Sequence, residues 1–152
     1  MGKEHSISKS IEIFASPEIC YKLLCDFEGY PGWFKHVKRI EPKDYNENGR
    51  IISAFYVFDV VFKKGLKILW AYDYDDENKK LTCTSKGGDF LNAVSAYQFR
   101  ELHGGGTLLD FNVKIGFGML VPEKIVNYLA TIMLKDFLVM IKDECERITN
   151  SF

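Results

Sequence analysis

Residues 16–41 read SPEICYKLLCDFEGYPGWFKHVKRIE, and the architecture turns on them. Ser16 is a good helix N-cap, Pro17 suits the first helical position, and Glu18 favours the positive end of the helix dipole. Ile19, Cys20, Leu23, Leu24 and Phe27 recur at helical spacing, so the stretch predicts a short amphipathic helix over 16–27 that Gly29 stops. Beyond it Tyr30, Trp33 and Phe34 crowd around Pro31-Gly32. Turn-formers mark a solvent-facing loop, whereas large aromatics are normally buried. Trp33 and Phe34 therefore read two ways: as a lid over the mouth of a cavity, or as a plug seated in the core beneath a turn.

On either side of this segment the periodicity changes from 3.6 to 2. Before it, Ile7, Ile11 and Ile13 alternate with polar residues over 6–14, a strand with one buried face. After it, strands follow for some eighty residues. Asn48-Gly49 marks a hairpin between strands near 37–45 and 50–62. A strand with Leu66, Ile68, Trp70, Tyr72 and Tyr74 comes next, then strands near 80–86 and 90–102. The second of these sets Ala93, Ser95, Tyr97 and Phe99 on one face. The triple glycine 104–106 turns into a last strand carrying Thr107, Leu109, Phe111, Val113, Ile115 and Phe117 on one face. Short connections predict an antiparallel meander. Pro122 opens a final helix to about Thr149, with Val126, Leu129, Ala130, Met133, Phe137, Met140, Ile141 and Ile148 along one side. Leu138 and Val139 lie beside its polar side, a surplus that predicts an interface through this flank, with a second copy in a homodimer or with another partner.

The 152 residues predict one domain spanning 1–152, with 47% hydrophobic and 27% charged residues in ordinary globular balance. A net charge of −1 recommends no nucleic acid as partner. No run of about 18 apolar residues offers a transmembrane segment. Cys20, Cys25, Cys83 and Cys145 lack metal-site spacing and read as reduced packing residues of a cytoplasmic protein. Neither a metal nor another cofactor is expected.

A six- or seven-stranded antiparallel sheet needs a cover for one face, and the long helix supplies it. A curved sheet wrapped around one helix diverges from it at one end, which leaves room for an apolar cavity. The predicted class is therefore α+β. The residues predicted to line the cavity are Trp33, Phe34, Trp70, Tyr97, Phe99, Phe111, Val113, Phe117, Met133, Phe137 and Met140, although each also reads as ordinary core.

Ser16, Pro17, Asp26, Tyr30, Pro31, Trp33 or Phe34, and Val37 together resemble the entry segment of the START-like (SRPBCC) helix-grip superfamily. So does the later run KGGDFLNAVSAYQFRELHGGGT, through Gly88, Phe90, Tyr97, Phe99, Gly106 and Thr107. Within it the chain looks most like the polyketide cyclase/dehydrase and coenzyme Q-binding branch, with Tyr97 where that branch commonly has Trp. The resemblance implies a curved sheet gripping a long C-terminal helix. It also implies binding of a hydrophobic small molecule: a lipid, an isoprenoid quinone or a polyketide. Two further roles known in the superfamily are a polyketide cyclase or dehydratase enzyme and a ribosome-association-toxin-like module that binds a macromolecular partner.

No catalytic constellation stands out. His5, His36 and His103 pair with no nucleophile in a recognisable motif. Asp59, Arg100 and His36 are the polar groups that would assist a cyclase, and each reads more simply as a solvated surface residue. Glu144 projects near the apolar side of the last helix. It either meets a polar ligand head or an arginine, or sits in water where the helix has left the core, and the second is the expectation.

Overall fold

The computed structural model describes residues 4–60, 63–88, 91–117, 124, 127–128 and 135–151. Strand β1 (Glu4–Ile13) leads into helix α1 (Pro17–Cys25) and a 3-10 turn (Phe27–Gly32). Six strands follow: β2 (Val37–Tyr45), β3 (Ile51–Val60), β4 (Lys63–Asp75), β5 (Lys80–Gly88), β6 (Leu91–Glu101) and β7 (Thr107–Phe117). Helix α2 is described from Phe137 to Asn150. Its expected start at Pro122 falls outside the described residues.

The seven strands form one antiparallel sheet in the order β1-β7-β6-β5-β4-β3-β2. Every neighbour from β2 to β7 follows in sequence, as short connections require, and β1 pairs along the far side of β7. The edge strand β2 carries Pro42, which a central strand would not tolerate. The β2–β3 hairpin closes where Asn48-Gly49 predicts it. Gly49 has φ +81°, and Asn46 Oδ1 accepts from the amides of Asn48 and Arg50 at 2.9 and 3.0 Å.

Ser16 Oγ caps α1 by accepting from the Ile19 amide at 3.3 Å. The helix ends at Cys25, two residues before the expected end. Asp26 leaves helical geometry (φ −89°, ψ 75°), and the chain tightens into the 3-10 turn that holds Tyr30 and Pro31. The end of β1 is stitched to its neighbours. Thr107, fully buried, donates from Oγ1 to the Ala15 carbonyl at 2.6 Å. From α2, Glu146 accepts from the Phe14 amide at 2.9 Å. Helix α1 meets α2 where Cys20 lies against Cys145, both fully buried.

Leu138 corrects the expected α2 flank. It is 6% exposed and belongs to the core, while Val139 beside it is 53% exposed. The predicted homodimer flank is therefore a single apolar side chain.

A polar clasp holds α1 to the sheet. Arg50 donates to both carboxylate oxygens of Asp76, at 2.7 and 3.0 Å, and lies 3.7 Å over the Tyr74 ring. Tyr21 donates to the same carboxylate at 2.7 Å. These bonds, Arg50's first, hold the Asp76 carboxyl below its usual range. A depressed folded-state value gives stability that is present above the unfolded value and lost as pH falls through the folded one. Asp76→Asn is thus expected to reduce the acid sensitivity of unfolding below about pH 4. Urea midpoints at neutral and acid pH check this, and an unchanged difference between them refutes it.

Candidate functional site

Register assigns the two sheet faces. Across the middle of the sheet, Tyr72 faces Cys83, Cys83 faces Ser95, and Ser95 faces Val113. On one side of that row Ala54 faces Trp70, and Ala93 faces Ile115; on the other, Leu81 faces Tyr97, and Tyr97 faces Phe111. Direct partners share a face, so all of these lie on the buried, concave side. All are at most 8% exposed. The floor thus has small side chains on its central strands β5 and β6 (Cys83, Ala93 and Ser95) and large ones around them.

Phe137, at the start of α2, is the keystone of the aromatic wall. Its ring lies 5.2 Å from Phe34, 5.6 Å from Trp33, 5.7 Å from Tyr97 and 6.2 Å from Tyr30. Tyr97 in turn packs 4.9 Å from Phe111. Phe34 is 7% exposed and Trp33 is half-buried against the core. Both therefore sit inward from a turn whose Pro31 and Gly32 face water. His36 Nε2 lies 2.6 Å from Asp136 Oδ2, tying the loop after the aromatic pair to the residue before α2. His36 is thus not the solvated residue the sequence predicts: its side chain is 17% exposed and hydrogen-bonded.

Of the residues predicted to line a cavity, Phe34, Trp70, Tyr97, Phe99, Phe111, Val113 and Phe137 belong to this core, and Trp33 and Met140 pack against it. Met133 and the Phe117 side chain fall outside the described residues. The structure does not gather the polar candidates. Asp59 accepts from the Gly65 amide at 2.7 Å within the β3–β4 turn. Arg100 lies exposed beside Asp110 at 3.0 Å, the Asp110 carboxylate also accepting from Ser10 on β1. Glu144 accepts two bonds from Arg147, at 2.7 and 2.6 Å, which hold its carboxyl below the usual range.

Sequence reasoning missed the hydroxyl groups of the concave face. Tyr30, Tyr56, Tyr72 and Tyr97 place their hydroxyls near one another and near Cys83. Burial pushes all four phenols far up and the Cys83 thiol to about 12. Each therefore keeps its proton at ordinary pH and acts as a donor, not as a base or thiolate. Tyr30 donates to the Leu24 carbonyl. Among the described residues, two buried side-chain polar atoms have no hydrogen-bond partner: Trp33 Nε1 and the Tyr72 hydroxyl. The Tyr72 hydroxyl lies beside that of Tyr56 without a bond of normal geometry between them.

Two depressions open on other surfaces. One of about 360 Å3 lies on the outer face of the sheet among Ser8, Ser10, Gln98, Arg100 and Asn112. The other, of about 440 Å3, lies where Pro17 and Glu18 meet the β4–β5 turn. Both have polar walls, unsuited to an oily ligand. Among the described residues no group of His, Cys, Asp and Glu is placed to hold a metal ion. No helix among them is long and apolar enough to cross a membrane.

A family described as "Polyketide cyclase / dehydrase and lipid transport" matches residues 13–139. No curated protein matches the sequence. Solved structures share the fold. A START superfamily protein from Mycobacterium smegmatis is 22% identical with a TM-score of 0.82, over 95% of this chain and 99% of that one. A Thermus thermophilus protein is 23% identical with a TM-score of 0.76, over 97% and 99%. The Zhui aromatase/cyclase from a Streptomyces species is 12% identical with a TM-score of 0.79, over 95% of each chain. At these identities the likeness shows fold alone.

Proposed function

The chain belongs to the polyketide cyclase / dehydrase and lipid transport family of the START-like superfamily, and from that premise we propose that it binds a hydrophobic small molecule between the concave face and α2. The ligand class is a lipid, an isoprenoid quinone or a polyketide. One observation carries this reading: a floor of small, buried side chains (Cys83, Ala93, Ser95) ringed by aromatic groups, several of which converge on Phe137. A core built only for stability favours large side chains at its centre, because filled volume is what stabilises it. Apolar walls contribute roughly 25 cal/mol per Å2 of ligand surface removed from water. A long apolar tail then reaches micromolar affinity after the costs of association.

Trp33 and Phe34 would move together as the gate, since both rest on Phe137 and the His36–Asp136 contact ties their loop to the start of α2. The four cysteines, all free, fit a reducing compartment such as the cytoplasm. A cyclase is the second reading, favoured by the protonated tyrosine hydroxyls that face the same space. Turnover of a poly-β-keto chain would distinguish it from a carrier.

Native mass spectrometry of freshly purified protein tests the binding reading. A copurifying lipid or quinone, or uptake of one from an added series, is the expected result. Ligand-free protein that ignores fatty acids, short-chain quinones and aromatic polyketides alike refutes it.

A further inference from the structure

We propose that Cys20 on α1 and Cys145 on α2 form a peroxide-reactive dithiol, which oxidation converts into a disulfide that locks the covering helix onto α1. Both are free thiols in the reduced protein. The inference stands independently of the binding reading above.

The fold, not sequence proximity, builds the pair. Both side chains are fully buried, and they are hydrogen-bonded to each other where the first turn of α1 meets α2. The Cys20 amide donates to the Ser16 carbonyl at 3.1 Å, so its place follows from the capped start of α1. Cys145 is held from both sides along its helix. Lys142 donates to the Glu12 carbonyl at 2.9 Å, and Glu146 accepts from the Phe14 amide at 2.9 Å. These two bonds fasten α2 to the chain just before α1 and keep the sulfurs facing each other. A disulfide needs side chains that already meet across a short gap between backbones, and a thiol–thiol hydrogen bond between two packed helices supplies that. The other two cysteines are occupied elsewhere: Cys25 bonds with Tyr21 and Arg50, and Cys83 with Ser95.

The chemistry runs in two steps. The Cys145 thiol donates to the Cys20 sulfur, which lowers the Cys20 thiol and raises that of Cys145, so Cys20 is the nucleophile. Its thiolate attacks one peroxide oxygen, the O–O bond breaks, and hydroxide leaves to be protonated to water, with Cys20 now a sulfenic acid. The Cys145 sulfur then bonds to that of Cys20, the S–O bond breaks, and the hydroxyl leaves with the Cys145 proton as a second water. Two thiols and one peroxide thus give one disulfide and two waters. Burial pushes the Cys25 thiol up to about 11 and the Cys83 thiol to about 12, so neither competes as a thiolate. Peroxide is little larger than water. It reaches the pair when the end of α2 opens, since the helix finishes at Asn150, little more than a turn beyond Cys145. A reducing compartment returns the bridge to thiols.

Folded wild-type protein is treated with hydrogen peroxide, its remaining thiols are alkylated, and the peptides are mapped without reductant. The expected product carries one Cys20–Cys145 bridge with Cys25 and Cys83 still alkylated, and dithiothreitol reverses it. All four thiols alkylated after treatment, or a bridge through Cys25 or Cys83, overturns the proposal. So does an equal yield of the Cys20–Cys145 bridge in urea, because the fold would then contribute nothing to the pairing. Cys145→Ala removes the resolving thiol, so peroxide should leave a sulfenic acid on Cys20 that dimedone traps. Melting reads the lock itself. Closing so long a loop should raise the melting temperature of the oxidised protein about 5–10 °C above that of the reduced one. A bridged protein that melts no higher than the reduced one would show that the link does not hold the helices in their native packing, and would overturn the lock.

Discussion

Phe137→Ala is expected to destabilise the protein by about 3–5 kcal/mol, the usual loss when a buried Phe is truncated in a core that collapses only partly. Phe137 is 5% exposed and supports four aromatic side chains from two separate parts of the chain. Tyr30, Trp33 and Phe34 come from the segment after α1, and Tyr97 from β6. Alanine would leave a cavity bordered by rigid rings that cannot move in without dragging the 3-10 turn with them. The melting temperature should fall by roughly 10 °C, at about 2–4 °C per kcal/mol for a chain of this size. The neighbouring His36–Asp136 contact, at 17% and 33% side-chain exposure, cannot compensate, because partly solvated pairs contribute little. Urea unfolding measures the effect, with Phe137→Leu as the milder comparison. A loss below about 1 kcal/mol would mean that the rings do not pack on Phe137 as found.

The legibility of the fold follows how strongly each segment separates its two faces. In β7 the alternation is clean, and Leu109, Phe111, Val113 and Ile115 are buried as the period-2 pattern requires. Ser16-Pro17 and Asn48-Gly49 fix local geometry through capping and positive φ, so they too are readable from residue type alone. Strand β3 (IISAFYVFDV) is apolar on both faces. Only its register, with Ala54 opposite Trp70, shows that Tyr56 is on the concave side. The end of α1 was obscured because Phe27 keeps helical spacing from Leu23 and Leu24 while its backbone has already passed into a 3-10 turn. Leu138 sits where helical projection predicts a boundary, but α1 and β1 cover more of α2 than one sheet face would. The unpaired atoms of Trp33 and Tyr72 were illegible in principle. A one-dimensional pattern records which side chains are polar, not which have found a partner.

Ala93→Phe is expected to abolish ligand binding, by about 100-fold or more, while the fold survives. The argument is volumetric. Ala93 is 4% exposed on the concave face, between Ile115 on β7 and Ser85 on β5, and the Ser85 hydroxyl accepts from its backbone amide at 2.8 Å. Substitution leaves that backbone bond in place and projects a ring from the floor over the small side chains of Cys83 and Ser95. If a ligand occupies that space, the ring takes its place and removes the apolar contact that drives binding. If the space is filled by protein, the same substitution overpacks a solid core, which costs about 1–3 kcal/mol or more and shifts the backbone. The two cases predict opposite pairs of observations. An occupied pocket gives lost binding with a urea midpoint near that of wild type, whereas a filled core gives a strongly lowered midpoint whatever happens to the ligand. Ala93→Val, which adds much less volume, should fall between wild type and Ala93→Phe in affinity. Ranking the three proteins by affinity and by stability therefore reads directly whether the small residues of this floor are there to leave room.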